Sequence, residues 1–302
     1  MKVLVTGSNG LLGQKLVARL LPQPGVELVA TSRGANKLAG LCPTLRFLAL
    51  DVASAAQVQR VLARERPTHV IHAAAMTNVD ECELHRDACW QQNVTAVEHV
   101  VRACEEHRIH LTHLSTDFVF SGEAGPLAEE AEPGPVNFYG ESKLAAERLV
   151  QASTGPWAIA RTVLVYGVAH DYGRTNLVLW VRDALRAGTP IKVVADQWRT
   201  PTLAEDLAQG CWLLAQQAAR GIYHLSGDEL FTPYAMALRV AAHFGLDPNL
   251  IEKVDARTFS QLARRPARTG FIIDKARRML GFRPHSFAEG IALVAAQSET
   301  GG

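Results

Sequence analysis

Short apolar runs alternate with amphipathic stretches along the first half of the chain. Apolar runs of four to eight residues are typical of buried strands, and apolar residues three and four apart are typical of helices. The alternation of the two predicts an α/β fold built on a doubly wound parallel sheet. The predicted strands are 1–6, 26–31, 46–50, 69–72, 110–114 and 157–165, and the predicted helices between them are 14–21, 55–66, 87–107 and 142–149.

A glycine-rich turn joins the first predicted strand to the first helix. Gly7 permits a tight turn, Gly10 lets the backbone approach a pyrophosphate, and Gly13 allows the helix to pack closely on the strand. The spacing is GxxGxxG rather than GxGxxG. Because a helix N-terminus attracts phosphate, the turn predicts a Rossmann-type dinucleotide site.

The second predicted strand ends at Ser32 and Arg33. An acidic residue at this point would hold the ribose hydroxyls of NAD, whereas a small hydroxyl beside an arginine suits the 2′-phosphate of NADP. The pair predicts NADP as the preferred cofactor and NAD as the alternative. An arginine that only meets solvent is the non-functional explanation for Arg33.

Beyond residue 166 the pattern loosens. Helices are expected at 176–187 and 203–218, with a short strand at 191–194 between them. We therefore expect an NAD(P)-binding domain over 1–165 and a smaller C-terminal substrate-binding lobe over 166–302, and the pattern leaves a return of the chain to the sheet open. The long loop 122–135 is rich in proline, glycine and glutamate, and we expect it to act as a lid.

Tyr139 and Lys143 lie four residues apart in a predicted helix, so both side chains can reach one cofactor. A nearby ammonium favours the phenolate and lowers the pKa of tyrosine from about 10, which suits proton exchange with a sugar or alcohol oxygen. On its own this spacing is common and describes a solvated helix face. In the context of the glycine turn it predicts an oxidoreductase.

Composition favours a single soluble enzyme. The 302 residues are 48% hydrophobic and 20% charged, with a formal net charge of +1, which argues against a surface for nucleic acid or an anionic membrane. No apolar run approaches the ~20 residues of a membrane span and no signal peptide precedes the first strand, so we expect a cytoplasmic protein. The five cysteines include no CxxC pair, and His110 and His113 point to opposite faces of a strand, so we expect neither a disulfide framework nor a metal site.

A set of short motifs extends over most of the chain. They are TGSNGLLG at 6–13, HAAA at 72–75, LSTDFVFSG at 114–122, YGESKLAAE at 139–147, RT at 161–162, VYG at 165–167, and DQ at 196–197 followed by TPT at 200–202. Together they resemble the extended short-chain dehydrogenase/reductases, and within that family the dTDP-4-dehydrorhamnose reductases. The combination is highly specific, although single motifs are not.

This resemblance implies roles for particular side chains. Thr116 would hydrogen-bond the substrate oxygen, Tyr139 would donate the proton, and Lys143 would hold the nicotinamide ribose and lower the tyrosine pKa. Asn93 would support the lysine through water, and the substrate would be a nucleotide sugar, with a homodimer as an open question. Further cofactor contacts are implied for Gly7, Asn9, Gly10, Leu11, Leu12, Gly13, Ser32, Arg33, Asp51, Val52, Ala73, Ala74 and Ala75, and substrate contacts for Asp117, Leu164, Gln197, Arg199 and Arg265.

Two positions depart from the family pattern. The rhamnose enzymes resemble one another in having a tryptophan where this chain has Leu164, and a small residue where it has Arg199. Both positions fall where substrate is expected, so the departures leave the sugar open and the hydride chemistry intact. We expect Arg199 either to contact substrate or to lie on a loop surface, and the basic run 264–268 either to grip a nucleotide diphosphate or to form a solvated cluster.

The residues favour an NAD(P)H-dependent reductase of a keto sugar over two alternatives. A sugar-nucleotide epimerase would use the same side chains. A dehydratase would also need an Asp-Glu pair after the threonine, and here Asp117 is followed by Phe118. The third class is a non-catalytic NADP-binding protein that resembles the regulatory subunit of methionine adenosyltransferase, and the intact set of Thr116, Tyr139 and Lys143 argues against it.

Overall fold

Buried aliphatic residues build a parallel sheet at the centre of the molecule, and Val3, Leu4 and Val5 of its middle strand are completely buried. The computed structural model describes residues 1–170, 173, 175–259 and 262–299. Its strands are β1 (Lys2–Thr6), β2 (Glu27–Ser32), β3 (Arg46–Ala49), β4 (His69–His72), β5 (His110–Thr116), β6 (Trp157–Thr162), β7 (Val165–Tyr166), β8 (Ile191–Val194), β9 (Thr202–Leu203), β10 (Gly221–His224) and β11 (Ile251–Val254).

Helices cover both faces of this sheet, as expected where strands are buried on both sides. The helices of the described chain, some of which pack elsewhere, are α1 (Leu11–Leu20), α2 (Ala55–Glu65), α3 (Val79–Leu84), α4 (Arg86–Trp90), α5 (Ala96–Glu106), α6 (Phe138–Gln151), α7 (Leu177–Arg186), α8 (Ala204–Gln216), α9 (Pro233–Phe244), α10 (Asp274–Leu280) and α11 (Phe287–Glu299). In the part of the chain that the structure describes, none of them is long and apolar enough to cross a membrane.

The large sheet has seven parallel strands in the order β10-β6-β5-β4-β1-β2-β3. Strand β1 pairs with β2 on one side and with β4 on the other, so the direction of winding reverses between β1 and β4. Ligands of open α/β sheets bind at this reversal, outside the carboxyl ends of the strands. The predicted doubly wound parallel sheet is confirmed.

The second half of the chain forms a smaller lobe and also contributes to the sheet. Strand β10 pairs with β6 at the sheet edge, and α8 packs against α1. The remaining elements build two small parallel pairs, β8 with β11 and β7 with β9. Their helices α7, α9 and α11 enclose a separate apolar core around Val181, Met236, Val240 and Ile291.

The predicted helix 87–107 is divided in the structure. After α4 the chain forms a π-helical turn at Gln91–Thr95, and α5 follows it. The completely buried Asn93 lies in this turn, where its Oδ1 accepts from Met76 N at 2.8 Å and its Nδ2 donates to Met76 O at 3.0 Å. The widened turn therefore clamps the loop after β4, and π-helical turns are frequent at functional sites.

Backbone hydrogen bonds anchor the loop 122–135 to the segment 270–272. Leu127 N donates to Gly270 O at 2.8 Å, and Ile272 N donates to Leu127 O at 2.9 Å. The buried Glu129 accepts from His224 N at 2.9 Å. A loop held at these points is fixed to the rest of the protein. This argues against the expectation that it acts as a lid.

Candidate active site

A cavity of about 1220 Å³ lies at the carboxyl ends of the strands. Residues from both halves of the chain line it, which fits a site for a cofactor on one side and a substrate on the other. Of the residues predicted from sequence to form the site, all except Asn93 line the cavity. They are Gly7, Asn9, Gly10, Leu11, Leu12, Gly13, Ser32, Arg33, Asp51, Val52, Ala73, Ala74, Ala75, Thr116, Asp117, Tyr139, Lys143, Leu164, Gln197, Arg199 and Arg265.

The glycine turn is packed too tightly for side chains. A Cβ at Gly13 would lie 2.1 Å from Gly7 O, and one at Gly7, where φ is +69°, would lie 2.9 Å from Ala74 N. Helix α1 begins at Leu11, and its N-cap Gly10 offers no capping side chain. The first N–H groups of the helix therefore face the cavity without a side-chain acceptor, an arrangement that fits a pyrophosphate.

Asn9 connects the glycine turn to the segment that follows β2. Its Nδ2 donates to Ala35 O at 2.8 Å, and its Oδ1 accepts from Lys37 N at 3.2 Å. This clamp holds the segment so that both Arg33 and Lys37 line the cavity. Two cations at the end of the second strand suit the 2′-phosphate of NADP. Sequence reasoning missed Lys37, although a second basic residue four positions after Arg33 was visible.

Tyr139 approaches Thr116 because Gly140 lets helix α6 come close to the end of β5. A Cβ at Gly140 would lie only 2.2 Å from Phe118 O. Asn137 caps the helix, and its Oδ1 accepts from Gly140 N at 2.8 Å. Tyr139 and Thr116 both line the cavity, and the Thr116 hydroxyl is near enough to influence the pKa of Tyr139, so the phenol and the threonine hydroxyl can contact one substrate oxygen.

The pKa of Tyr139 is raised, mainly by burial and further by the carboxyl of Asp117, while the hydrogen bond from Thr116 opposes this. Lys143 is not among the causes of this shift, so its expected lowering of the tyrosine pKa stays a prediction. Lys143 Nζ donates instead to Leu114 O at 2.7 Å and lies 3.4 Å from His113 Nε2. Burial lowers the pKa of Lys143 itself to about 8. Because the pKa of Tyr139 is raised, its phenol stays protonated.

Asn93 contacts helix α6, which carries Tyr139 and Lys143, and is not among the residues that line the cavity. Its Nδ2 donates to Ser142 Oγ at 3.1 Å, next to Lys143 in the chain. Together with its bonds to Met76, this joins the loop after β4 to α6. The support of Lys143 through water stays a prediction.

Arg199 is 4% exposed, so the expected loop-surface position is wrong. Its guanidinium donates to Trp198 O at 2.7 Å and to Pro266 O at 2.6 Å, and Nε lies 3.6 Å from Asp117 Oδ2. Burial raises the pKa of Asp117, while Arg199 and the hydroxyl of Thr269 oppose the rise. The arginine is thus a partner of a buried carboxyl at the base of the cavity.

The basic run 264–268 is divided among different contacts. Arg265 lines the cavity and makes a bidentate pair with Asp80, at 2.8 and 2.7 Å. Arg268 donates to Gly125 O at 2.7 Å and lies over the ring of Trp198. Of this run, Arg265 alone is among the residues that line the cavity, so it is the one available to a bound diphosphate.

Leu164 lines the cavity between β6 and β7. It is 37% exposed and has a φ of +38°, which interrupts the predicted strand 157–165 between β6 and β7. A left-handed conformation is uncommon for a leucine and recurs at functional sites. Gln197 also lines the cavity.

Comparisons with known proteins agree with this geometry. A family model described as the RmlD substrate binding domain matches residues 1–300. A probable low-salt glycan biosynthesis reductase, Agl14 of Haloferax volcanii, is 30% identical over 98% of both chains, and a dTDP-4-keto-6-deoxy-D-glucose reductase of Streptomyces niveus is 32% identical over 88% of this chain and 86% of its own. The solved dTDP-4-dehydrorhamnose reductase of Bacillus anthracis in complex with NADP is 29% identical, with a TM-score of 0.85 over 98% of this chain and 99% of that one.

Proposed function

Because the chain belongs to the RmlD substrate binding domain family, we propose that it is an NAD(P)H-dependent reductase of a nucleotide-linked keto sugar. The family resemblance predicted from the motifs is confirmed by the match over residues 1–300. One observation carries the function: Thr116, Tyr139 and Lys143 line the same cavity as the uncapped N-terminus of α1. A proton donor and a dinucleotide site thus share one space.

The reaction assigned to this site is reduction of a sugar carbonyl to an alcohol. The nicotinamide cofactor supplies the hydride when it is bound. Tyr139 holds the proton that passes to the carbonyl oxygen, and its raised pKa keeps the phenol protonated until the oxygen gains negative charge. Thr116 donates to the same oxygen and stabilises that charge. Lys143 is assigned to the cofactor ribose.

NADP is the proposed cofactor, with NAD as the alternative. Support comes from Ser32, Arg33 and Lys37, which line the cavity at the end of β2, and from the solved relative that holds NADP. Asp51 and Val52 are assigned to the adenine side. The backbone of 73–75 is assigned to the floor under the cofactor.

We assign cofactor binding mainly to 1–165 and sugar binding mainly to 166–302. Leu164 and Gln197 are proposed for the sugar, and Arg265 for a diphosphate of the nucleotide. Asp117 is proposed to act on the substrate through Thr116. Its Oδ1 accepts from Thr116 Oγ1 at 3.2 Å in the structure, and we propose that this single hydroxyl hydrogen turns to the substrate oxygen when the sugar binds. A homodimer, a cytoplasmic location and the lack of a nucleic-acid partner also stay proposals, the last supported by a net charge of +1.

The test is NADPH oxidation measured with a panel of dTDP-, UDP- and GDP-linked keto sugars. We expect turnover with at least one of them, and loss of that turnover in Tyr139→Phe. Titration of NADPH without a sugar separates the two parts of the proposal. A protein that binds NADPH but reduces none of these sugars would contradict the reductase, and one that binds neither cofactor would contradict the whole assignment.

A further inference from the structure

Two buried histidines that are not among the predicted site residues directly precede Ala73 and Leu114, which line the cavity. His72 on β4 and His113 on β5 are partners in the parallel register, and each is 1% exposed. Their rings stack with centroids 5.6 Å apart and planes inclined by 20°. A buried polar nitrogen is costly without a hydrogen-bond partner, and each ring has one such nitrogen, His72 Nε2 and His113 Nδ1. The contacts of the other nitrogen in each ring therefore decide the tautomer.

The tautomer of His72 follows from its contact with Thr6. Thr6 Oγ1 accepts hydrogen bonds from Ala73 N at 3.2 Å and from Ala74 N at 3.3 Å. With both lone pairs used, its hydroxyl hydrogen is left for His72 Nδ1, at 2.8 Å. His72 therefore accepts at Nδ1 and carries its proton on Nε2, and it is fixed to the strand that leads into the glycine turn.

His113 is tied to Lys143 in a complementary way. Its Nε2 lies 3.4 Å from Lys143 Nζ, and an ammonium group can only donate. Nε2 must therefore accept, which leaves the ring proton on Nδ1. Burial lowers the pKa of both imidazoles, and the charge of Lys143 lowers them further, so His113 is a neutral acceptor near neutral pH.

We propose that His113 is a positioning residue for the proposed reduction: its neutral imidazole and the carbonyl of Leu114 fix the ammonium of Lys143, and His72 and Thr6 fix His113. This proposal depends on the proposed function only where it assigns Lys143 to catalysis. The contact between His113 and Lys143 connects helix α6 to β1, the strand that ends in the glycine turn. The connection runs through His113, His72 and Thr6, which lie on the adjacent strands β5, β4 and β1.

The groups around Lys143 determine in which direction its pKa changes when His113 is replaced. Glu147 on its own helix and the thiols of Cys82 and Cys89 on α3 and α4 favour the ammonium form, and burial disfavours it. His113 and His72 face it from the sheet. Removal of the acceptor at His113 should destabilise the ammonium and lower the pKa of Lys143. The alkaline limb of the kcat profile should then move to lower pH.

The experiment compares three variants of the full chain. His113→Leu removes the acceptor, and His113→Gln restores an acceptor oxygen at about the distance of Nε2. His110→Leu is the matched control, because His110 is buried in the same strand but contacts Ala219 O at 2.8 Å, far from Lys143. We expect the alkaline limb to fall by about one pH unit in His113→Leu, to recover in His113→Gln, and to stay in place in His110→Leu.

An unshifted limb in folded His113→Leu would overturn the proposal, and so would an equal shift in His110→Leu. Nitrogen-15 NMR of the wild-type histidines decides the matter if the variants do not fold. A neutral His113 protonated at Nδ1 from about pH 5 to 9 supports the proposal, whereas a ring that titrates in this range or carries its proton on Nε2 overturns it. Since NMR needs no sugar, failure of the reductase assay would contradict the proposed function without deciding the role of His113.

Discussion

The Nε atom of Arg199 lies 3.6 Å from Oδ2 of Asp117, and both side chains are buried. Three further N–H groups of the guanidinium donate to carbonyl oxygens of Trp198, Pro266 and Ala267. Arg199 therefore balances a carboxyl next to the catalytic threonine and ties down the segment around residue 266. The departure from the family pattern at Arg199 thus has a structural role, and the substrate contact stays a prediction because Arg199 also lines the cavity.

Arg199→Met should lower the free energy of unfolding by about 3–5 kcal/mol near neutral pH, because it leaves the carboxyl of Asp117 buried without its cation. Arg102→Met is the control, since Arg102 pairs with Glu98 on the surface and exposed pairs contribute about 0–1 kcal/mol. Urea unfolding of both variants measures the difference. Equal losses in the two would contradict the role given to Arg199.

Leu164 stands where the rhamnose enzymes resemble one another in having a tryptophan. We therefore expect this protein to differ from them mainly in sugar specificity. An aliphatic side chain in place of an indole removes a flat apolar surface worth about 1–3 kcal/mol. We expect dTDP-4-dehydrorhamnose to be a poor substrate and Leu164→Trp to improve it. Steady-state kinetics measure this, and a wild-type kcat/KM of about 10⁴ M⁻¹s⁻¹ or more would show that the departure has no effect.

Tyr139→Phe should lower kcat by about 10²- to 10⁴-fold, the usual contribution of a general acid, and leave NADPH affinity nearly unchanged. Tyr234→Phe is a suitable control, because Tyr234 is partly buried against the apolar core of α7, α9 and α11 and is not among the residues that line the cavity. Single-turnover rates and NADPH titrations separate chemistry from binding. Full turnover by Tyr139→Phe on an authentic substrate would exclude the phenol as the proton donor.

Lys143 should couple stability to pH. Its pKa is lowered from 10.5 to about 8 in the folded protein, so between these values the unfolded chain binds more protons and stability rises with pH. Lys143→Met should remove this rise, and below pH 8 it should stabilise the fold by a few kcal/mol at most, on the order of 1–3. The same variant should weaken NADPH binding and turnover. Unfolding measured from about pH 7 to 10 tests this, and parallel curves for wild type and variant would refute it.

Arg33 should determine the choice of cofactor. A charge-assisted hydrogen bond to a 2′-phosphate is worth about 1.5–3 kcal/mol, so wild type should bind NADPH more tightly than NADH, and Arg33→Ala should lose most of the difference. Arg60→Ala changes an arginine on helix α2 that is not among the residues lining the cavity, and should keep the preference. Equal affinities for the two cofactors in the wild type would rule out this role.

The order of elements and the position of the cleft could be predicted from the sequence because they depend on local patterns. Apolar runs identified the strands, and the spacing of Gly7, Gly10 and Gly13 identified the turn at the carboxyl end of β1. The residues that a cofactor would meet are mostly backbone positions at strand ends. Their location follows from the topology of the sheet, whatever side chains surround them.

What could not be predicted depends on contacts between distant parts of the chain. The π-helical turn around Asn93 exists because Met76 lies beside it. The burial of Arg199 requires the segment at 266, and the raised pKa of Tyr139 comes from how deeply α6 packs. None of these partners is within ten residues along the chain, so periodicity and composition hold no signal for them.

Strand β10 has a consequence for any attempt to divide this protein. It covers the outer edge of β6, and without it the backbone N–H and C=O groups of Trp157–Thr162 would be open to another chain. Helix α1 would likewise lose the apolar cover of α8. Residues 1–165 therefore depend on the rest of the chain for their fold. A truncation at residue 165 should aggregate, and chimaeras between relatives should carry the second half in full.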